Sequence, residues 1–378
     1  MGDPWVRVKS SGGVTPPWHT STLWHLMSLS GWWGFLRAHG FRMRPGRVAL
    51  AAPITAYALH NSILRAMQSA IYGTRLRRAS APTDPIFVLG HWRAGTTWLH
   101  ELLTQDDRFT FPTTYECVSP HYCVLLGSLY PKLFASLLPS RRAMDAMPMG
   151  FERPQEDELA LLALGQPSPM WWVGYPGEQA GQQYLTLREL PPSERERWLA
   201  TLKSFLRLVS FRRPQRTIVL KSPAHTSRLG LLSSAFPAGR FVHVVRDPVA
   251  VFASTVHLWT TVHAISGLTA MDTTDLYAYV LDTYVAMYRE YFATVSLLPA
   301  GSFYQLRYED LVANPLRSIE ECYQSLGLGG FSRAAPRIEK YLERVSGFRT
   351  NTFEISSECR EQIRARWAPI YSKWGYEV

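Results

Sequence analysis

Cysteine is scarce in this 378-residue chain: Cys117, Cys123, Cys322 and Cys359 form no CxxC or Cys/His pattern. That spacing argues against a disulfide framework and against a zinc cluster, and it reads as a reduced compartment. Long apolar runs are lacking too. The longest, Val48–Leu59, contains Pro53 and Thr55 and stops at His60-Asn61, well short of the roughly 20 residues that span a bilayer. The first seventeen residues are polar and rich in Gly and Pro, without the apolar core of a leader segment, and no internal repeat or low-complexity tract stands out. These absences read as a cytoplasmic protein. Acidic residues are nearly missing from one region: residues 1–84 hold ten Arg or Lys against Asp3 and Asp84, which is +8 of the net charge of +10.

With 46% hydrophobic and 19% charged residues, the chain can bury a substantial core. Residues 1–84 read as a basic, tryptophan-rich helical extension, with Trp5, Trp18, Trp24, Trp32 and Trp33, the stretch Arg37–Arg47, an apolar segment 48–72, and Arg75, Arg77 and Arg78. Two readings stay open for it. Rings beside arginines on a weakly polar helix suit peripheral contact of residues 1–80 with the inner face of an anionic membrane; the alternative is a helical extension packed on the rest of the chain with its arginines solvated. Nucleic-acid binding fits poorly, because the basic residues follow no recognition motif.

From Pro85 onward short apolar runs alternate with helical patterns, which predicts an α/β fold with a central parallel sheet flanked by helices. Strands are expected at Ile86–Leu89, Thr217–Leu220, Phe241–Val245 and Phe303–Leu306. Each delivers polar residues at its carboxyl end, where ligands bind in open α/β sheets. The helical stretch at about 110–210, including Trp171-Trp172, is too long for a simple crossover and is expected to form the acceptor side of a cleft.

The most informative stretch is Pro85-Ile-Phe-Val-Leu-Gly-His-Trp-Arg-Ala-Gly-Thr-Thr-Trp-Leu-His100. Strand, glycine loop and helix make an anion cradle, since the first amides of the helix have no intrahelical partners and sit at the positive end of its dipole. The spacing Gly90-x-x-x-x-Gly95 matches a phosphate loop, yet Thr96 stands where a Walker lysine would be. The cation is Arg93, inside the loop.

Leu89-Gly-His-Trp-Arg-Ala-Gly-Thr-Thr97 resembles the 5′-phosphosulfate loop of sulfotransferases that use 3′-phosphoadenosine-5′-phosphosulfate (PAPS). The resemblance runs from about Pro85 to Leu311 and points to the tyrosylprotein, carbohydrate and bacterial branches. It implies a phosphate-loop-like three-layer fold over residues 85–378 and a sulfuryl transfer to a hydroxyl or amine, with PAPS as co-substrate and no metal. In that family Arg93, Ala94, Gly95, Thr96 and Thr97 would wrap the 5′-phosphosulfate. Arg246 in Arg-Asp-Pro and Ser254 eight residues on would hold the 3′-phosphate, and a guanidinium chelating phosphate is chemically apt. Lys221 in Leu-Lys-Ser-Pro would support the transferring group, and Tyr308 in Tyr-Glu would contact the adenosine.

A general base typically adds 10²- to 10⁴-fold. Glu116, 23 residues beyond Arg93, is the first choice; the cluster Glu156-Asp157-Glu158 is the rival, and its acids would also favour the first turn of a helix begun at Pro154. The histidines His91, His100, His121 and His225 lie near motif positions without matching the family's histidine base. The acceptor, whether small molecule, glycan or lipid, is not legible. The competing functions are a phosphate-loop kinase or NTPase, disfavoured by Thr96, and a membrane-docked nucleotide binder without turnover.

Overall fold

The computed structural model describes residues 5–10, 22–134, 147–177, 182–346 and 351–378; Trp18 lies outside them. Strands β1 (Val6–Ser10), β2 (Ile86–Leu89), β3 (Phe109–Thr110), β4 (Thr217–Lys221), β5 (Arg240–Val245), β6 (Phe303–Arg307) and β7 (Thr352–Ile355) form two sheets. The larger has the order β3-β4-β2-β5-β6 and is parallel throughout. All four expected strands are in it. The short β3 at its edge, and the antiparallel pair β1–β7, have apolar patterns too brief to register in the sequence.

Side chains alternate across a strand, and the strands divide accordingly between two cores. Phe87, Leu89, Ile218, Leu220, Phe241 and Val245 enter one; Ile86, Val88, Val219, Val242, Val244 and Leu306 enter the other. Both faces are covered by helices, so the runs read as continuously apolar.

The N-terminal segment is woven into the first core. Helix α1 (Leu29–Ala38) buries Trp32 and Phe35, and α2 (Pro45–Arg78) runs for 34 residues behind it. Trp24 stacks on Phe35 at 4.3 Å and donates to the Ser266 carbonyl at 2.6 Å. Trp5 stacks on Tyr277 at 4.4 Å. Trp171 and Trp172 belong to the core as well, with Trp172 stacked on Tyr279 at 4.0 Å. They are packing residues in this structure.

Four buried imidazoles make this fold sensitive to acid. His91, His121 and His243 are each lowered to about 4, and His100 to about 3, in each case first by burial. Their native values lie below the unfolded value of about 6.5, so the unfolded chain takes up more protons as pH falls, and stability is lost from about pH 6.5 downward. Each site contributes about 1.4 kcal/mol per pH unit in that window. Thermal melting is therefore expected to drop steeply between pH 7 and 5, and less steeply in His243→Asn; equal slopes in the two proteins would contradict the assignment.

Candidate active site

At the end of β2 the chain turns sharply through a loop that ends at α3 (Thr96–Leu103). Two glycines are sterically required there. A Cβ on Gly90 (φ 145°) would lie 2.6 Å from the Val244 carbonyl oxygen, and one on Gly95 (φ 103°) would lie 2.2 Å from Cδ2 of Tyr308. Arg93 itself has φ 68°, a region costly for a side chain and tolerated where surrounding contacts over-determine it. Those contacts are visible. Thr226 Oγ1 accepts from the Gly90 amide at 2.8 Å and donates to the Gly90 carbonyl at 3.2 Å, and the Ala94 amide closes the turn onto the His91 carbonyl at 3.1 Å. Arg93 Nε donates to Ser254 Oγ at 2.8 Å, and Arg246 Nη1 donates to the Arg93 carbonyl at 2.9 Å.

The remaining predicted nucleotide contacts converge on the same place. Asp247 caps the helix Pro248–Ser266 by accepting from the Ala250 amide at 2.7 Å, which positions Ser254 two turns along. The Arg246 guanidinium lies 4.4 Å from the ring centre of Tyr308. Glu309 then ties the turn down, accepting from the Asp247 amide at 3.1 Å and from the Tyr376 hydroxyl at 2.5 Å. Thus the sheet brings Arg93, Gly95, Arg246, Ser254 and Tyr308 together, around the amides of Thr96 and Thr97 at the start of α3.

Beside that cradle is a second, acid–base arrangement. Helix α4 (Thr114–Val118) and α5 (Leu129–Phe134) lead to α6 (Asp157–Ala163), whose start carries the acidic cluster. All three acids meet basic partners at the end of β4 and on the segment that follows it. Lys221 Nζ donates to Glu156 Oε1 at 2.6 Å, His225 Nε2 lies 2.7 Å from Asp157 Oδ2, and Arg228 Nη1 donates to Glu158 Oε2 at 2.6 Å. Burial works to raise the Asp157 carboxyl, but His225, its helix amide and Arg228 outweigh it and hold it below its usual range. Of the three acids, Glu156 alone keeps appreciable exposure, 18% of its side chain.

A cleft opens between these two arrangements, lined by Thr97, Lys221, Arg153, Gln155, Met147 and Met149. Glu101, one turn beyond Thr97 on α3, also faces it and pairs with Arg153 Nη2 at 2.8 Å. Burial pushes the Glu101 carboxyl up, and Arg153 opposes this without reversing it. Sequence reasoning passed over Glu101 and Arg153, although the interval of four from Thr97 places Glu101 on the same helix face.

Glu116, the sequence-based choice of base, lies elsewhere. It is wholly buried and accepts from the Thr113 amide at 2.9 Å, which makes it the second half of a capping box on α4. Arg213 Nη2 at 2.6 Å and Arg212 Nε at 3.4 Å hold its carboxylate. A side chain so occupied, away from the cleft lining, anchors a helix. The four candidate histidines are buried as well: His91, His100 and His121 bond backbone carbonyls and His225 bonds Asp157.

A loop–helix anion cradle at the carboxyl end of a central parallel strand, flanked by basic residues from the neighbouring strands, is the arrangement with which phosphate-loop α/β proteins bind nucleotides. The Sulfotransferase family profile matches residues 85–332, and the chain belongs to that family. It is 37% identical over 356 residues, 94% of this chain and 91% of the relative, to the omega-hydroxy-beta-dihydromenaquinone-9 sulfotransferases of Mycobacterium bovis and Mycobacterium tuberculosis. Among solved structures, the sulfotransferase STF9 from Mycobacterium avium aligns over 95% of this chain and 93% of its own, with TM-score 0.72 and 16% identity. STF1 from Mycobacterium tuberculosis aligns over 86% and 85%, with TM-score 0.55 and 19% identity. These two likenesses establish the fold. The protein is thus an enzyme of the PAPS-type sulfotransferase class.

Replacing Gly95 with Ala is expected to weaken binding of the desulfated product, 3′-phosphoadenosine-5′-phosphate, by roughly tenfold to a hundredfold, because the added carbon collides with Tyr308 in a backbone conformation that disfavours it. Calorimetric titration checks this, and wild-type affinity in Gly95→Ala would contradict it.

Proposed function

We propose that the enzyme moves a sulfuryl group from PAPS to a hydroxyl of a lipophilic acceptor, with Glu156 as the base and Lys221 as the charge-stabilising group. The observation that carries this reading is the 2.6 Å pair between Glu156, which keeps 18% of its side chain exposed, and Lys221, which lines the cleft with Thr97. In the proposed assignment Arg93, Ala94 and the amides of Gly95, Thr96 and Thr97 hold the 5′-phosphosulfate. Arg246 and Ser254 take the 3′-phosphate, and Tyr308 packs near the adenosine.

The acceptor oxygen attacks sulfur in line, the bond from sulfur to the bridging phosphate oxygen breaks, and the 3′,5′-bisphosphate leaves with that electron pair. The acceptor proton passes to Glu156. Lys221 and Arg93 meet the charge growing on the bridging and sulfuryl oxygens, a preorganised electrostatic contribution that needs no rearrangement during the step. The methionines at 147 and 149 give the acceptor side a soft apolar wall of the kind that accommodates irregular hydrocarbon. The menaquinone-derived acceptor in the names of the 37% identical relatives supports the same acceptor class over a glycan.

Glu156→Gln is expected to lower kcat by about 10²- to 10⁴-fold while leaving affinity for 3′-phosphoadenosine-5′-phosphate within a few-fold. Glu116→Gln is expected to do the reverse: it strands two arginines around a buried site, lowers stability by roughly 3 kcal/mol, and keeps kcat in the folded protein. Radiolabelled sulfuryl transfer to a long-chain isoprenoid alcohol, read beside thermal melting, separates them. Retained kcat in Glu156→Gln would overturn the assignment of the base.

A further inference from the structure

The buried face of α2 carries Ile54 and Ala58, which enter the main core, together with polar side chains that anchor it. Asn61 donates to the carbonyls of His25 and Met27, both at 2.9 Å, Gln68 donates to the Pro120 carbonyl at 3.0 Å and accepts from the Val124 and Leu125 amides, and Ser62 accepts from the Leu29 amide at 2.8 Å. The opposite face is apolar and open to solvent. Val48, Leu59, Ile63, Met67 and Ile71 are 47–58% exposed, and at 100° per residue they fall within one sector of the helix, interleaved with the exposed alanines 49, 52, 56, 66 and 70. Between Val48 and Ile71 no Asp, Glu, Lys or Arg falls in that sector, whose polar member is His60. The stripe is about 35 Å long at 1.5 Å per residue.

Three further features say what covers it. Exposed arginines flank both ends, Arg42 and Arg44 before the stripe and Arg75, Arg77 and Arg78 after it. Next to the first end, Trp33 and Phe41, 58% and 46% exposed, meet edge to face at 5.0 Å. An exposed aromatic pair beside basic residues at the end of an apolar helix face is the composition that sits at a lipid headgroup boundary. On the cleft side, Leu129 and Leu133 of α5 are also exposed, while their neighbour Tyr130 stacks on Tyr115, next to the cleft-lining Thr114. The N-terminal end of α2 is held firmly: Arg47 donates to the carbonyls of Ala264 and Ile265, which close the helix that carries Ser254.

We propose that the outer face of α2 is a docking surface for an anionic lipid bilayer, with the helix lying in the plane of the headgroups and its arginines meeting lipid phosphates. The buried Asn61 and Gln68 keep the helix on the protein, so it rests on the membrane and does not cross it. The proposal stands on α2 and its surroundings, independently of which acceptor the enzyme uses.

The test is flotation of the full-length protein with vesicles of phosphatidylglycerol and phosphatidylcholine, beside Ile63→Glu/Met67→Glu/Ile71→Glu, whose changes lie far from the nucleotide cradle. Wild type is expected to float with anionic vesicles, and the variant to show a vesicle-bound fraction lower by at least about tenfold. Both should titrate identically with 3′-phosphoadenosine-5′-phosphate, a readout that also shows the variant folded and keeps the catalytic reading separate. The proposal is overturned if wild type stays with the free protein, if the three substitutions leave flotation unchanged, or if sedimentation shows a wild-type dimer that they dissociate, in which case the face belongs to a second copy.

Discussion

The register of Glu156, Asp157 and Glu158 against Lys221, His225 and Arg228 is the constraint on which the site depends. Burying ions is costly unless partners and hydrogen bonds compensate, and here three successive acids find three bases within 2.7 Å. Ser168 adds a 2.7 Å bond to Glu158, and the Arg228 guanidinium lies over Trp198. Shifting either segment by one residue would break all three pairs at once. Helix α6 is thereby fastened to the end of β4, whose Lys221 shares the cleft lining with Thr97 at the start of α3. The two inner pairs are sealed from water; in the outermost, Lys221–Glu156, the carboxylate keeps partial exposure, and the proposed mechanism uses that pair as proton acceptor and cation.

Much of this was legible in the sequence. The four main strands, the glycine loop with its arginine, and the Arg246–Ser254 interval all depend on local pattern or short spacing, and the structure brings those residues together. What failed to be legible depended on three-dimensional pairing. Glu116 stands at a plausible distance in sequence from Arg93, yet Thr113 three residues before it was a capping signal, and Arg212 and Arg213, nearly a hundred residues on, complete its cage. The acidic cluster read equally well as a helix start, and it is one; its bases at 221, 225 and 228 could not be matched to it without the sheet. Trp171 and Trp172 sit in the stretch expected to form the acceptor side of the cleft and are core in the structure, since aromatic residues carry no signal of which side they face.

The N-terminal segment shows the same limit from the other direction. Its basic charge and tryptophans suggested either a membrane contact or a packed extension, and the structure packs part of the segment into the core and leaves part exposed. Trp24 and Trp32 are buried in the main core, while the outer half of α2 is apolar and uncovered. With apolar residues on its buried face, at Ile54 and Ala58, and on its outer face as well, the helix gives little periodic signal, and the inward anchors Asn61 and Gln68 are visible only in the structure.

In the proposed mechanism the loop at Gly90–Gly95 holds the sulfuryl donor without help from a Walker lysine. Calorimetric titration of the purified protein with 3′-phosphoadenosine-5′-phosphate in a metal-free buffer, beside ATP with magnesium and repeated on Arg246→Ala, tests it most directly. Binding of the bisphosphate without metal, weakened tenfold or more in Arg246→Ala, is the result this account predicts. Binding of ATP only with magnesium, or of neither nucleotide, would contradict it.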